Sequence, residues 1–288
     1  MNLLLLGNSG QLGWELQRTL QPLGVVVTHD YPEVNMADGT SIRKIVQECR
    51  PGVIVNATAY TAVDKAESEP DLAEAINGTG PGVLAEEARK LNAVLIHYST
   101  DYIFDGKKGS PYKETDLPQP VNVYGESKLA GEQAIQSAGG DYLIFRTAWV
   151  YSLRRESFVS KVLGWARKND TLRVVDDQVS NPSWARMLAE VTAQVLARGP
   201  GYLQDRCGLY HLAGGGHASR YNWAREILRL DPRKQEQRVK QLLPASTMDF
   251  PTPAQRPLFS ALDCQKFERT FDLRLPFWEA ALELALVQ

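Results

Sequence analysis

The sequence predicts an α/β protein built on a doubly wound parallel sheet. Three observations carry this: short unbroken apolar runs, stretches of helical spacing alternating with them, and a glycine-rich turn at the first junction between the two. The runs Leu3–Leu6, Val25–Thr28, Val53–Asn56, Val94–Tyr98 and Tyr142–Phe145 are rich in Val, Ile and Leu. They lack polar alternation, the pattern of strands covered on both faces. Between them, Leu12, Leu16 and Leu20 recur every four residues, and Ile42, Ile45 and Val46 share a helical face after a cap at Asp38. Leu72, Ile76, Leu84 and Ala88 continue the spacing, as do Leu129, Ala130 and Ile135. Strand, helix and strand repeated at this interval give right-handed crossovers and a Rossmann-like sheet.

The order loosens after Trp149. Helical spacing appears at Phe158–Ala166, Met187–Ala197, Trp223–Leu230 and Trp278–Leu286. Two short strand-like segments, near 172–176 and 208–213, are expected to return to the sheet. Proline-rich stretches at Pro111–Pro120 and Pro244–Pro257 read as long ordered loops. The expected organisation is a dinucleotide-binding domain over residues 1–150 and a mainly substrate-binding part over 151–288.

Composition narrows the function. The 288 residues carry 32 Lys plus Arg against 34 Asp plus Glu, a net charge of −2. No basic surplus is available for nucleic acid. A hydrophobic fraction of 43% provides for a core and excludes general disorder. Cys49, Cys207 and Cys264 are odd in number and far apart, which argues against a disulfide framework or a zinc site and for a reducing compartment. No apolar stretch approaches the ~20 residues of a membrane span, and Leu3–Leu6 has no basic leader. The chain reads as cytoplasmic, with no membrane partner.

The segment Gly7-Asn8-Ser9-Gly10-Gln11-Leu12-Gly13 follows the first strand and opens the first helix. Glycines there permit a tight turn and close approach of backbone N–H groups to a pyrophosphate, while the helix N-terminus adds positive potential. Asp30, about 20 residues on at the end of the second strand, can accept hydrogen bonds from ribose hydroxyls. No arginine follows it, so the sequence leaves NADH and NADPH both open. Tyr124 and Lys128 stand four apart at a helix start, one face apart by a single turn. A nearby ammonium would lower the phenol pKa, and Tyr124 could then exchange a proton with a carbonyl or alcohol. Ser99 and Thr100 end the fourth strand, where ligands of open α/β sheets bind.

These segments resemble the extended short-chain dehydrogenases/reductases that act on sugar nucleotides, and within them the dTDP-4-dehydrorhamnose reductase family. The resemblance rests on GNSGQLGWEL (7–16), VIVNATAYTAVDKAESEP (53–70), HYSTDYIFDG (97–106), NVYGESKLAGE (122–132) and FRTAWVY (145–151). GLYHLAGGG (208–216) and FPTPAQRPLFSALD (250–263) carry it into the C-terminal part. It implies reduction of the C4 ketone of dTDP-4-dehydro-β-L-rhamnose by NADPH or NADH, with Thr100, Tyr124 and Lys128 as the catalytic trio. It further implies Gly7, Gly10, Gln11, Leu12 and Gly13 at the pyrophosphate and Asp30 at the ribose. Asn35 and Met36 would lie near the adenine, and Ala59, Tyr60 and Thr61 toward the nicotinamide. Asp101 and Trp149 match positions that meet the sugar nucleotide, a dTDP-4-keto-6-deoxy sugar. Arg256 and Lys161 are candidates for its diphosphate.

The resemblance also hints at Mg2+ between the subunits of a homodimer, with Glu15 and Glu190 among its ligands. As residues these read as exposed helix glutamates, and no metal ligand is assigned. Two departures stand out. The family's D-Q-x-G-x-P-T is here Asp177-Gln178-Val179-Ser180-Asn181-Pro182-Ser183, and Arg220 replaces a usual aromatic residue. The alternatives are a related sugar-nucleotide epimerase or a non-catalytic subunit resembling the methionine adenosyltransferase β subunit. A 4,6-dehydratase is disfavoured, because Thr100-Asp101-Tyr102 lacks the Glu of its T-D-E motif.

Overall fold

In the computed structural model, which describes residues 1–287, a six-stranded all-parallel sheet forms the centre. Its first five strands are β1 (Asn2–Leu6), β2 (Val25–His29), β3 (Val53–Asn56), β4 (Val94–Thr100) and β5 (Tyr142–Thr147). A further strand, Gly208–His211, adds in parallel to the free edge of β5. From that edge the order runs Gly208–His211, β5, β4, β3, β1, β2. Successive crossovers therefore leave β1 toward β2 on one side and toward β3 on the other. That reversal opens a crevice beyond the carboxyl ends of β1 and β3.

Alternate side chains of each strand feed two separate cores. Leu3, Leu5, Val53, Val55, Ile96 and Phe145 point to one face. There they meet α1 (Gln11–Thr19), a helix at Ala185–Leu196 and another at Gln265–Phe271. Leu4, Leu6, Ile54, Leu95 and Ile144 point to the other. They are covered by α2 (Gly39–Cys49), α3 (Gly80–Lys90) and α4 (Val123–Ala138). Asp38 caps α2 by accepting from Thr40 N–H at 2.8 Å.

The stretch before α3 departs from one continuous amphipathic helix. A short helix at Pro70–Glu74 passes into a π-helical turn at Ala75–Thr79. The extra residue in that turn shifts the helical phase, so Leu72 faces solvent while Asn77 turns inward.

The C-terminal half is divided between two places. The Ala185–Leu196 and Gln265–Phe271 helices and the Gly208–His211 strand pack on the central sheet. Most of the remainder builds a third core around Tyr151, Trp184, Trp223, Ile227, Trp278 and Leu282. The expectation that residues near 172–176 return to the sheet is not met. Thr171–Val175 instead pairs in parallel with Gln241–Ala245 as a separate two-stranded sheet. This also makes the start of the proline-rich Pro244–Pro257 stretch a strand. Pro244 is tolerated because a two-stranded ribbon offers an edge at every residue.

Candidate active site

The glycine turn is a cradle at the switch point. Gly7 adopts φ +85°, and a Cβ there would lie 2.9 Å from Ala57 backbone. A Cβ on Gly13 would lie 2.0 Å from Gly7 O, so the helix can sit this close to the turn only without one. Gly10 precedes α1 in extended conformation and no side chain caps the helix. The first-turn N–H groups of Gln11, Leu12 and Gly13 are thus left for an outside acceptor. These features fit a dinucleotide pyrophosphate. We expect Gly13→Ala to abolish measurable dinucleotide binding in a fluorescence titration and to cost about 1–3 kcal/mol of stability from overpacking.

Asp30 closes over this turn. Its carboxylate accepts from Ser9 N–H at 2.9 Å and from Tyr31 N–H at 2.8 Å. Two carboxylate oxygens hold about four acceptor sites, so capacity for ribose hydroxyls is left. Asn35 and Met36 lie in the loop between β2 and α2. Asn35 accepts from Ala37 N–H and takes its own N–H to Ser41, and the Met36 side chain is buried. Ala59, Tyr60 and Thr61 follow β3. Asn77 fastens this loop, accepting from Tyr60 N–H at 2.8 Å and donating to Tyr60 O and Ser127 Oγ, each at 3.1 Å. The π-helical turn is what aims Asn77 at both β3's loop and α4.

Thr100, Tyr124 and Lys128 come together across β4 and α4. Asn122 caps α4 through Gly125 N–H at 2.8 Å, which places Tyr124 on the first turn and Lys128 one turn further in. Tyr124 is half-buried and its ring meets Tyr102 edge-on, with centroids 5.7 Å apart. Burial raises the Tyr124 pKa strongly, and the Thr100 hydroxyl beside it pulls the other way. This corrects the expectation of a phenol acidified by Lys128. Among the groups acting on Tyr124, Lys128 does not figure, because its ammonium is turned elsewhere. Lys128 is 1% exposed, with Nζ donating to Tyr98 O at 2.7 Å and lying 3.2 Å from His97 Nε2. Tyr124 is therefore protonated near neutral pH, the form that a proton donor needs.

A buried polar chain ends at Lys128. Asn56 Oδ1 accepts both the Thr58 N–H and its hydroxyl, at 3.1 and 2.6 Å. That leaves Asn56 Nδ2 to donate to His97 Nδ1 at 3.0 Å. His97 Nε2 then carries the hydrogen and faces an amine better than an ammonium. In keeping with this, burial brings Lys128 down to about 8, against a smaller opposing pull from Glu132. The same burial, with Lys128 adding to it, holds His97 well below its ordinary value. A lowered lysine pKa means the folded form releases its proton first as pH rises through about 8. If the ammonium is the working form, kcat/KM should fall on that limb in a pH-rate profile. A flat profile from pH 7 to 9.5 would contradict it.

Asp101 is 2% exposed. Its carboxylate takes the hydroxyls of Ser180 at 2.9 Å, Ser260 at 2.5 Å and Thr100 at 3.2 Å. It is a clamp joining the end of β4 to the C-terminal half, and every partner here is a protein hydroxyl rather than open cleft. Burial raises its pKa and these hydroxyls oppose that. The departure at Ser180 thereby has a use: its hydroxyl completes the Asp101 clamp. Ser183 bonds Gly214 N–H at 2.9 Å.

Trp149 sits just after β5 with φ +41°, a left-handed conformation that a bulky residue adopts only when its surroundings enforce it. It stacks on Trp223 at 5.5 Å. Of the diphosphate candidates, Arg256 pairs with Asp64 at 2.9 Å, and Lys161 pairs with Glu156 at the surface.

Sequence reasoning did not single out Asn77, His97 or Asn56. Asn56 and His97 end or interrupt apolar runs, and a polar residue at that place was the available sign.

Glu15 and Glu190 line one cavity of about 400 Å³ together with Arg18, Arg154 and Arg186. Glu190 takes the Arg186 guanidinium at 2.8 Å. Among the described residues no group of three or more His, Cys, Asp or Glu gathers to hold a metal. Two carboxylates among three guanidiniums do not fit Mg2+ within this chain, and no step is routed through a metal.

The parallel sheet with a glycine cradle at its switch point is that of an extended short-chain dehydrogenase/reductase. The family model described as the RmlD substrate binding domain matches residues 1–288. A dTDP-4-dehydrorhamnose reductase of Salmonella typhimurium is 42% identical over 294 residues, covering 100% of this chain and 98% of the relative. The crystal structure of a dTDP-4-dehydrorhamnose reductase from Clostridium acetobutylicum superposes with a TM-score of 0.91 at 35% identity, covering 100% of this chain and 99% of that one. The structure of the Bacillus anthracis reductase in complex with NADP gives 0.90 at 32% identity, covering 99% and 98%. The chain belongs to the dTDP-4-dehydrorhamnose reductase family.

Proposed function

We propose that this protein reduces the C4 ketone of dTDP-4-dehydro-β-L-rhamnose to dTDP-β-L-rhamnose. The observation that carries the reading is the half-buried Tyr124 phenol beside Thr100, one helical turn from Lys128 and beyond the strand ends where the glycine cradle opens. A reduced nicotinamide dinucleotide, NADPH or NADH, supplies the hydride when bound. The relative from Bacillus anthracis was solved with NADP, which supports NADPH.

Gly7, Gly10, Gln11, Leu12 and Gly13 hold the pyrophosphate, and Asp30, Asn35 and Met36 the adenosine end. Ala59, Tyr60 and Thr61 border the nicotinamide. Tyr124, protonated at rest, gives its proton to the oxygen of the former ketone as negative charge develops there. Thr100 donates to that oxygen and fixes the carbonyl's direction. With a dinucleotide bound, Lys128 would hold its nicotinamide ribose and, with Nζ released from Tyr98 O, would stabilise the phenolate that Tyr124 leaves behind. Asp101 keeps Thr100 oriented, and Trp149 borders the sugar. Holding ketone and nicotinamide in line supplies much of the rate.

Residues 1–150 serve the dinucleotide and 151–288 mainly the substrate, a dTDP-4-keto-6-deoxy sugar. The reading includes a homodimer, checked by light scattering. Among the described residues no helix is long and apolar enough to cross a membrane. The three free cysteines suit a reducing compartment, and we place the protein in the cytoplasm. The test is absorbance at the nicotinamide band with the 4-keto sugar and each cofactor supplied separately. Substrate-dependent loss of the reduced band is expected. Tightly held, non-exchanging NAD without net turnover would favour an epimerase instead.

A further inference from the structure

His97 lies in the middle of β4, fully buried, and no step of the reduction uses it. A neighbour sits on each ring nitrogen: Asn56 Nδ2 at 3.0 Å from Nδ1, and Lys128 Nζ at 3.2 Å from Nε2. Which nitrogen carries the hydrogen is decided outside the ring. The Thr58 backbone N–H, which can only donate, bonds Asn56 Oδ1 at 3.1 Å. Asn56 therefore keeps its oxygen toward Thr58 and its amide hydrogens toward His97. Turning the amide round would set two donors against each other at Thr58. Nδ1 is thus the acceptor, and Nε2 the donor, of a neutral ring.

A donor aimed at Nζ is matched by an amine, which has a lone pair, and opposed by an ammonium, which has none. With Nε2 donating, Tyr98 O at 2.7 Å is the one acceptor left to Nζ among the described residues. An amine is satisfied there by one bond given and one taken. An ammonium keeps two hydrogens without a partner in a place 1% exposed. The charge nearest at hand does not offset this. Glu132, on the next turn of α4, draws Lys128 toward the cation, but its carboxylate is held bidentate by Arg146 from β5, with Nη2 2.6 Å away. Tyr124, on the preceding turn, is a neutral phenol. From β3 and the π-helical turn come neutral amides, Asn56 on His97 and Asn77 on Ser127.

We propose that His97 is a positioning residue for Lys128: it holds the lysine back as an amine in the dinucleotide-free protein, and the cation that grips the nicotinamide ribose forms by taking up a proton as the dinucleotide binds. On leaving His97 and Tyr98 O, Nζ exchanges a single acceptor for the ribose hydroxyls, and the proton comes from solvent. The place of Lys128 at the ribose rests on the reductase reading above, while the tautomer of His97 rests on Thr58 and Asn56 alone.

The test is calorimetric titration of NADPH into the full chain at pH 8.5 and at pH 6.5, in two buffers of different ionisation heat. The difference between buffers counts the protons taken up. Burial brings Lys128 to about 8 in the free protein, so a return to its ordinary value on binding should take up about 0.7 proton at pH 8.5 and almost none at pH 6.5. His97→Gln offers an amide oxygen where Nε2–H stood. His97→Asn keeps an acceptor for Asn56 and leaves nothing against Nζ, and it reads the role if the Gln variant does not fold. Either change should cut the uptake at pH 8.5 to below about 0.2 proton and move the falling limb of kcat/KM above about pH 9. Wild-type binding without uptake at pH 8.5 would overturn the proposal. So would a His97 variant that loses kcat at every pH while uptake and limb stay in place, which would make His97 a packing residue. Turnover of the 4-keto sugar is scored apart. Reduction without proton uptake removes the role of His97 alone, and His97-dependent uptake without reduction removes the activity alone.

Discussion

Tyr124→Phe is expected to lower kcat by about 10²–10⁴-fold while dinucleotide affinity stays within about twofold, because a phenyl ring keeps the packing and loses only the acidic hydrogen. The geometry makes this loss severe. The hydroxyl stands beside Thr100, and the neighbouring Asp101 carboxylate is closed off by three hydroxyls. Ring contacts with Tyr102 survive the change. Stopped-flow turnover beside a direct titration of NADPH separates the two effects. A variant with wild-type kcat would remove Tyr124 from the proton-transfer step. A variant that merely loses dinucleotide affinity would make it a binding residue.

Arg146→Met should cost about 3–5 kcal/mol of folding stability, the largest structural effect we expect from a single side chain. Arg146 ends the apolar part of β5 and reaches Glu132 on α4. Nε lies 2.9 Å from Oε1 and Nη2 lies 2.6 Å from Oε2, in a bidentate pair whose side chains are 4% and 2% exposed. Its Nη1 also faces His211 Nε2 at 3.4 Å, on the edge strand beside β5. Removing the guanidinium strands a buried carboxylate on the helix that carries Tyr124 and Lys128. Urea unfolding measures the loss as a lower midpoint at unchanged slope. Adding Glu132→Leu should recover part of it, because no uncompensated charge is then left. A double variant no more stable than Arg146→Met would show that packing, not charge, dominates at this junction.

These two effects mark how far the chain is legible without its fold. The central strands could be read because the two cores each draw on alternate residues of one unbroken apolar run, so burial leaves its mark locally. The glycine cradle was legible for a related reason. Gly7 and Gly13 answer to close contacts with backbone only a few residues or one strand away. The Tyr124 and Lys128 spacing is likewise local, fixed by one turn of α4. What escaped depends on partners distant in sequence. Thr171–Val175 has the apolar content of a sheet strand, yet its partner at Gln241–Ala245 lies some 70 residues on and contains a proline. Asn77 faces inward from within a π-helical turn, where the ordinary helical phase does not hold. Arg146 and Glu132, or Asn56, His97 and Lys128, acquire their roles from tertiary pairing that no periodicity encodes. The orientation of Lys128 was misjudged for the same reason: helical spacing places its stem, whereas the Tyr98 carbonyl and His97 decide where its nitrogen goes.

Transfer of a label from dinucleotide to sugar tests the whole account most directly. The protein is given dTDP-4-dehydro-β-L-rhamnose and a dinucleotide carrying deuterium on the transferring face of nicotinamide C4, and the product is read by NMR. Deuterium bound to carbon 4 of the sugar in the wild type, with the signal nearly absent in Tyr124→Phe over the same time, is the result predicted. Deuterium retained on the dinucleotide by the wild type, with the ketone unreduced, would contradict it.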